Sequence, residues 1–366
     1  MLPYLPVSVL LLRLVGLLLL VSCAATARGV PVMSVHGGEA WGSFKQLVDA
    51  RRGSRVAGLG ELKRYLARFG YLPKSGHEHD HPTDAFDAHM EAAVRRYQST
   101  LSLPVTGQLN SATIDRIMAP RCGVGDDTIH GAPVSLPGGG SGGGAVSRFT
   151  FFKGQPRWAT QPDPPLVLTY AISATATVDY LPREAVRAVF RRAFARWARV
   201  IPVAFVETDD YDAADIRAGF HSGSHGDGIP FDGPLGVLGH AFSPRNGRLH
   251  LDAAERWAVD MDAEEARSAV DLESVATHEI GHVLGLGHSS SPRAVMYPSL
   301  RPREKKADLT VDDVQGVQLL YGSNPGFSLS SLYQQQASSV SSPARSSTWL
   351  SVTFVCAVLV IFVTCF

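Results

Sequence analysis

Residues 278–288, HEIGHVLGLGH, decide how this chain is organised. On a helix, His278 and His282 project from the same face, so both imidazoles can reach a single metal ion. Glu279 follows the first histidine and lies where it can take a proton from a water that the metal activates. The short pattern H-E-x-x-H alone is a modest signal, because a helix can carry it by accident.

The pattern continues beyond this helix. Gly285 permits the helix to end in a left-handed turn, after which the chain can return His288 as a third ligand. Three protein ligands leave the fourth position of zinc open, which is typical of a catalytic site. The alternative is a buried helix with satisfied histidines, and it requires all of these residues to coincide by chance.

The extended pattern resembles that of the metzincin zinc peptidases, in which a methionine turn lies under the metal; Met296 matches that methionine. Ser289, directly after the third histidine, makes the sequence most similar to the matrixin branch. The resemblance implies a zinc metalloendopeptidase of the α+β class, with helices packed on a mixed twisted sheet. It also implies that Pro298 and Leu300 wall the pocket for the substrate residue after the cut, where we expect an aliphatic or aromatic side chain.

Length and composition bound the class of protein. The chain has 366 residues, a formal net charge of zero and 19% charged residues, so nothing indicates a nucleic-acid partner.

Residues 1–27 combine an apolar run with the small-residue site Ala25-Thr26-Ala27. This predicts a secretory signal peptide, with an uncleaved anchor as the alternative.

The C-terminal end predicts a membrane attachment. Residues 323–348 are polar and rich in serine and glutamine, which predicts a disordered linker, and residues 349–366 are apolar without a charge. Small residues near 338–342, the polar spacer and the apolar tail favour a GPI-attachment signal over a plain tail anchor. We therefore expect the protein on the extracellular side of the plasma membrane.

Residues 28–146 are predicted to form a pro-region. Residues 43–118 carry helical apolar stripes and resemble the small all-α peptidoglycan-binding-like domain of matrixin pro-regions. The tract at 77–81, HEHDH, is either a metal-binding segment or, as we favour, a solvated loop, because its spacing fixes no coordination geometry. Residues 137–144 are a glycine-rich flexible linker.

Of the four cysteines, only Cys122 lies outside the predicted signal and tail, so it should be a free thiol with a function. A thiolate is a strong zinc ligand and can fill the open fourth position. Residues 120–126 resemble the cysteine switch that keeps matrixins latent. The resemblance implies that Arg121 and Asp126 brace this loop by a salt bridge.

Residues 147–322 are predicted to form the catalytic domain. Residues 166–172 alternate like a strand, and Pro182 opens a long amphipathic helix. Further strands are predicted within 203–206 and 215–220, and Thr310 is predicted to cap the last helix.

A second group of metal ligands precedes the zinc motif. His225, Asp227, His240 and His250 lie along one loop-and-strand region, and four protein ligands close the tetrahedron of a structural zinc. Their spacing alone leaves ordinary surface histidines as an alternative. The resemblance assigns all four to a structural zinc, so that two zinc ions are expected.

The turn that begins at Asp232 suits a hard cation with oxygen ligands. The resemblance implies at least one calcium, and the alternative is a surface turn with uncompensated acids. The matching residues are the carboxylates of Asp232, Asp252 and Glu255 and the backbone oxygens of Gly233, Leu235 and Val237.

The pattern as a whole predicts a secreted, monomeric zinc endopeptidase, made latent and acting on extracellular proteins or peptides. The alternative is a catalytically inactive binding module displayed at the surface. Glu279 and the three histidines are all present, which argues against that alternative.

Overall fold

The computed structural model describes residues 41–73, 82–126, 148–158, 165–330 and 332. The predicted signal peptide, the tract at 77–81, the glycine-rich linker and the hydrophobic tail lie outside the described residues. Within the described part of the chain, no helix is both long and apolar enough to cross a membrane.

The N-terminal part is a small helical domain. A short 3-10 helix, Gly42–Leu47, precedes α1 (Leu59–Arg68), α2 (Ala88–Thr100) and α3 (Ser111–Ile117). Aromatic rings fill its core, where Tyr65 contacts Phe69 and Tyr97 edge to face. The amphipathic stripes predicted from the sequence therefore pack against one another.

Strands of the second part form one mixed sheet. They are β1 (Arg121–Cys122), β2 (Leu166–Ile172), β3 (Val203–Glu207), β4 (Ile216–His221), β5 (Val237–Ala241) and β6 (Arg248–Asp252). Their order is β1-β5-β6-β4-β2-β3, and only β5 and β6 pair antiparallel. β1 comes from the pro-region and occupies the edge beside β5. A separate parallel pair consists of β7 (Trp257–Ala258) and β8 (Val270–Asp271).

Three helices complete the second part. They are α4 (Arg183–Val200), α5 (Leu272–Val283) and α6 (Val311–Tyr321). Every residue of α5 is buried, because this helix packs against both α4 and the β5–β6 end of the sheet. The Trp197 indole of α4 donates a hydrogen bond to the Thr277 carbonyl of α5 at 3.0 Å. The core thus holds α5 rigidly beside the sheet edge.

The predicted α+β class, with a mixed sheet, packed helices and a preceding helical domain, is confirmed. The strand at 166–172 has the predicted bounds, and those at 203–206 and 215–220 begin or end within one residue of prediction. Thr310 caps α6 as predicted, in a reciprocal capping box with Asp313.

Candidate active site

Helix α5 carries the first two candidate ligands. It begins at Asp271, which caps the first turn, and brings His278 and His282 to one face with ring centroids 4.8 Å apart. Gly281 lies between them and packs against Met296 so closely that a side chain there would overlap the methionine sulfur. The glycine therefore allows the methionine turn to lie directly under the helix.

The chain turns sharply after α5. Gly285 has a φ of +103° in the left-handed region, and a side chain there would overlap the Pro156 carbonyl. The left-handed turn that the sequence predicts is present. It returns His288 to the helix, with its Nε2 atom 3.2 Å from Nε2 of His282.

The first two histidines are held through their Nδ1 atoms. Nδ1 of His278 donates to the Val295 carbonyl at 2.7 Å, and Nδ1 of His282 donates to the Leu286 carbonyl at 2.8 Å. Because a carbonyl only accepts, both Nδ1 atoms carry the proton, which leaves each Nε2 with a lone pair. Burial lowers the pKa of both imidazoles well below its ordinary value, so both rings are neutral. Nε2 of His278 is buried without a partner among the described residues, which fits a metal ligand.

Cys122 joins this cluster from a distant part of the chain. Its Sγ lies 3.3 Å from Nε2 of His282 and is buried. The ligand atoms of four residues lie within 4.8 Å of one another: Cys122, His278, His282 and His288. Burial and the neighbouring Glu279 raise the pKa of the Cys122 thiol. The protein itself therefore disfavours a thiolate here, and a cation is required to hold one.

Backbone hydrogen bonds fix the segment around Cys122 on both sides. The Cys122 amide donates to the Pro298 carbonyl at 2.8 Å, and the Gly123 amide donates to the Gly239 carbonyl of β5 at 2.7 Å. A side chain at Gly123 would come within 2.7 Å of the Val237 side chain. The chain around Cys122 thus lies extended between β5 and the segment after the methionine turn.

Asp126 connects this segment to the third histidine. Its carboxylate lies 3.0 Å from the Arg121 guanidinium, and both side chains are almost fully buried. It also accepts hydrogen bonds from Nδ1 of His288 at 2.7 Å and from the Tyr71 hydroxyl at 2.5 Å. The salt bridge that the resemblance implies is formed. The contact with His288 was not foreseen, since no local pattern connects residues so distant in sequence.

Glu279 is fully buried beside the cluster. Neither carboxylate oxygen has a hydrogen-bond partner among the described residues. Burial raises its pKa to about 8. A β-carbon at Gly239 would lie only 3.4 Å from Oε1 of Glu279, so the glycine leaves room between this carboxylate and strand β5. An unpaired buried carboxylate of this kind suits proton transfer to and from a reactant in the cleft.

A residue outside the metal motif positions the methionine turn. Asp313 of α6 is fully buried and accepts hydrogen bonds from the amides of Val295 and Met296 at 3.0 Å each. The same carboxylate accepts from Thr310 in the capping box. The T-x-x-D spacing signalled the helix start, but nothing in it indicated the contact with the turn.

The second cluster is built around one carboxylate oxygen. Three imidazole nitrogens approach Oδ2 of Asp227: Nε2 of His225 at 2.8 Å, Nε2 of His240 at 2.7 Å and Nδ1 of His250 at 2.8 Å. His240 and His250 lie opposite each other on β5 and β6. Burial lowers the pKa of His240 to about 4 and that of His250 to about 3, so both are neutral. Three imidazole nitrogens and one carboxylate match the donor set of a closed zinc site.

The three acids of the predicted calcium loop face the loop backbone. The Val237 amide donates to Asp232 at 2.8 Å, the Leu235 amide to Glu255 at 2.7 Å and the Gly233 amide to Asp252 at 3.3 Å. Burial raises the pKa of Asp252 to about 6 and that of Glu255 to about 8. Among the described residues these carboxylates do not form a group as tight as the two clusters above.

The two predicted wall residues line a pocket beside the first cluster. Pro298 and Leu300 share it with His278 and Glu279. Three histidines that converge with a thiol, an unpaired carboxylate beside them and an adjoining pocket define a zinc-dependent hydrolase with a cleft that holds an extended strand.

Comparison with known proteins agrees with this class. Residues 157–322 match the family model described as Matrixin, and residues 55–117 match that of a putative peptidoglycan binding domain. Metalloendoproteinase 1-MMP of Arabidopsis thaliana is 49% identical over 345 residues, which cover 92% of this chain and 88% of that protein. Human matrilysin is 36% identical over 237 residues, 64% of this chain and 77% of that protein. The chain belongs to the matrixin family of zinc metalloendopeptidases.

Proposed function

We propose that this metalloendopeptidase is made as a latent zymogen, closed by Cys122, and cleaves extracellular proteins at the cell surface. The observation that carries the proposal is the position of the Cys122 sulfur within the three-histidine cluster. A thiolate in that position excludes the water that hydrolysis requires.

The chemistry follows from the residues around the cluster. His278, His282 and His288 would hold the catalytic zinc, which when bound polarises the scissile carbonyl and lowers the pKa of a coordinated water. Glu279 accepts the proton of the attacking water and delivers it to the leaving amine, a role that contributes about 10²–10⁴-fold in rate. Val295 and Leu286 keep two of the imidazoles in the required tautomer through their carbonyls.

Latency follows from the path of the pro-region. Strand β1 pairs with β5 over Arg121–Val237 and Cys122–Gly239. An extended substrate would use the same strand edge, because free backbone groups of an edge strand bind a peptide by strand addition. The pro-region therefore blocks both the metal and the peptide-binding edge.

The second cluster and the calcium loop support the rim of the cleft. In this proposal Asp227 and its three histidines hold a structural zinc between β5 and β6. Asp232, Asp252 and Glu255 hold a calcium together with loop carbonyls, which compensates three buried or half-buried acids. Both ions fix strand β5, whose edge binds the substrate.

The location rests on the sequence of the two ends. The predicted signal peptide directs the protein outside the cell, and the predicted GPI signal retains it at the plasma membrane. We propose a monomeric enzyme there. If the anchor is correct, a phosphatidylinositol-specific phospholipase releases the protein from cells, whereas full retention contradicts the GPI assignment.

The decisive functional test compares full-length variants on a generic quenched peptide. The wild-type chain should be silent until its pro-region is cut, and Cys122→Ser should cleave without processing. The double variant Cys122→Ser, Glu279→Ala should be silent again while binding the same amount of zinc. If Cys122→Ser remains silent, the thiol does not close the site. If cleavage survives the loss of Glu279, this residue does not carry the proton transfer, or the activity belongs to a contaminating protease. Cleavage that a zinc chelator does not stop belongs to a contaminant, and the inactive-module alternative then stands.

A further inference from the structure

The pocket beside the first cluster ends in a lysine. Its walls are largely apolar, formed among others by Leu238, Val275, Val295 and Leu300, and Lys306 also lines it. The pocket is small, with a cavity volume of about 20 Å³, and Cys122 forms part of its lining.

Two hydrogen bonds link Lys306 to different sides of the pocket. Its amide donates to the Ser274 hydroxyl at 2.6 Å. Ser274 precedes His278 by one turn of α5, about 6 Å along the axis at 1.5 Å per residue. The ammonium donates to the Ser299 carbonyl on the opposite wall at 3.0 Å. Lys306 thus links helix α5, on one side of the pocket, to the segment that carries Ser299, on the other.

Two polar groups at this end have unused hydrogen-bonding capacity. The Lys306 ammonium has three protons but donates to one protein acceptor, and no carboxylate of the described residues lies within ion-pairing distance of it. The Ser299 hydroxyl is buried, with 4% exposure of the residue, and has no partner among the described residues. The ammonium is half-buried and lies 5.2 Å from the centroid of the Tyr297 ring. The unpartnered, buried Ser299 hydroxyl is costly, and beside this ammonium it points to a ligand that supplies an acceptor.

We propose that Lys306 and Ser299 select substrates whose residue after the cut has an apolar stem and a terminal oxygen acceptor, namely glutamate or glutamine. The methylene stem contacts the aliphatic walls, and the side-chain oxygen accepts from the ammonium and the hydroxyl. Such a charge-assisted hydrogen bond is about twice as strong as a neutral one. Burial lowers the pKa of Lys306 to about 8, which leaves most of the ammonium protonated at neutral pH. This inference rests on the proposed peptidase function, and it replaces the expectation of an aliphatic or aromatic residue after the cut.

The test uses the full chain, activated by limited proteolysis within 127–147, and quenched peptides that differ only at the residue after the cut. Leucine, methionine, glutamine and glutamate are compared as kcat/KM. In Lys306→Met the ratio of glutamate to leucine should fall roughly 10-fold or more, because a site built to hydrogen-bond a group discriminates strongly for it. Ser299→Ala should lower the same ratio by a smaller factor, and it keeps the test valid if the lysine variant does not fold.

Lys305→Met is the matched control, since Lys305 is the neighbouring exposed lysine, 3.9 Å from Glu273. It should leave the ratio at the wild-type value. Equal ratios in wild type, Lys306→Met and Ser299→Ala would overturn the inference. Absence of cleavage of all four peptides would instead contradict the proposed peptidase function, so the two failures are distinguishable.

Discussion

The two four-ligand clusters have similar compactness but different construction. In each, the ligand atoms lie within 4.8 Å of one another. The second cluster takes all of its ligands from residues 225–250: two from the neighbouring strands β5 and β6, and two from the loop that precedes β5. The first takes three from α5 and its turn, and the fourth from the pro-region, far away in sequence. A site whose ligands share one folding unit is permanent, whereas a site completed by a separable segment can be opened by cutting the chain.

Asp227 and Asp126, the carboxylates that contact the histidines of the two clusters, also differ in position. Asp227 lies at the centre of the second cluster and contacts all three of its histidines. Asp126 lies outside the first cluster, and His288 is the one ligand of that cluster to which it is hydrogen-bonded, through the nitrogen that faces away from the metal position. Asp227 can be a ligand, while Asp126 can only orient one. In the proposed zymogen, the segment around Cys122 therefore contributes both a ligand and a positioning contact, and both would leave with it.

The largest effect should come from the unpartnered carboxylate of Glu279 beside the first cluster, because the second cluster has no counterpart of it among the described residues. Glu279→Ala in the activated protein should lower peptide cleavage by about 10²–10⁴-fold, since it removes proton transfer. Metal analysis should show the zinc content unchanged at both clusters, because Glu279 ligates neither. A parallel loss of zinc would mean that Glu279 shapes the site rather than the reaction.

A second prediction concerns the buried ion pair between Arg121 and Asp126, which stabilises the segment around Cys122 in the cleft. Asp126→Ala leaves the buried Arg121 guanidinium unpaired, and breaking a buried pair costs about 3–5 kcal/mol. The closed state should be weakened by about a hundredfold or more, so the full-length variant should show activity without processing. Peptide cleavage by the unprocessed full-length variant, assayed at several protein concentrations, measures this activity. Asp115→Ala, a change at an exposed position of α3 in the same domain, should leave the wild-type latency intact.

The third prediction concerns the second cluster. Asp227→Ala removes the oxygen on which three imidazoles converge, and loss of even an outer partner typically lowers metal affinity by about 10–100-fold. The variant should lose one zinc per chain in the presence of a mild chelator, and its thermal unfolding midpoint should fall. Cys122→Ser should keep this zinc under the same conditions. Retention of two zinc ions in Asp227→Ala would contradict the assignment.

The smallest effect is expected where the pro-region reaches the calcium loop. Arg68 of α1 lies 3.3 Å from Asp232 and donates to the Pro230 carbonyl at 2.9 Å. Both side chains are partly exposed, so solvent screening limits the ion pair to about 0.2–1 kcal/mol. Arg68→Gln should raise the spontaneous activity of the full-length chain only a few-fold, and more at low salt. An effect as large as that of Asp126→Ala would show that the loop, not the switch, dominates latency.

The sequence predicted what depends on local spacing. The position of His278 and His282 on one helical face, the turn at Gly285 and the cap at Thr310 each follow from a few adjacent residues. The strand at 166–172 followed from alternation in the same way.

Contacts between distant segments could not be predicted from these patterns. The approach of Asp126 to His288 and the contact of Lys306 with Ser299 depend on how separate elements pack. The contact of Asp313 with the methionine turn is of the same kind. Hydrophobic periodicity places each element on the core but does not specify which polar side chains meet across it.

Cobalt substitution tests the central claim, that the pro-region supplies the fourth ligand of the first cluster, most directly. The full-length chain is reconstituted with Co²⁺, and near-ultraviolet absorption is recorded for thiolate-to-cobalt charge transfer. We expect this band in the wild type and not in Cys122→Ser, with the tetrahedral cobalt signal of the second cluster unchanged in both. Identical spectra for the two proteins would show that Cys122 is not bound to the metal and would contradict the account.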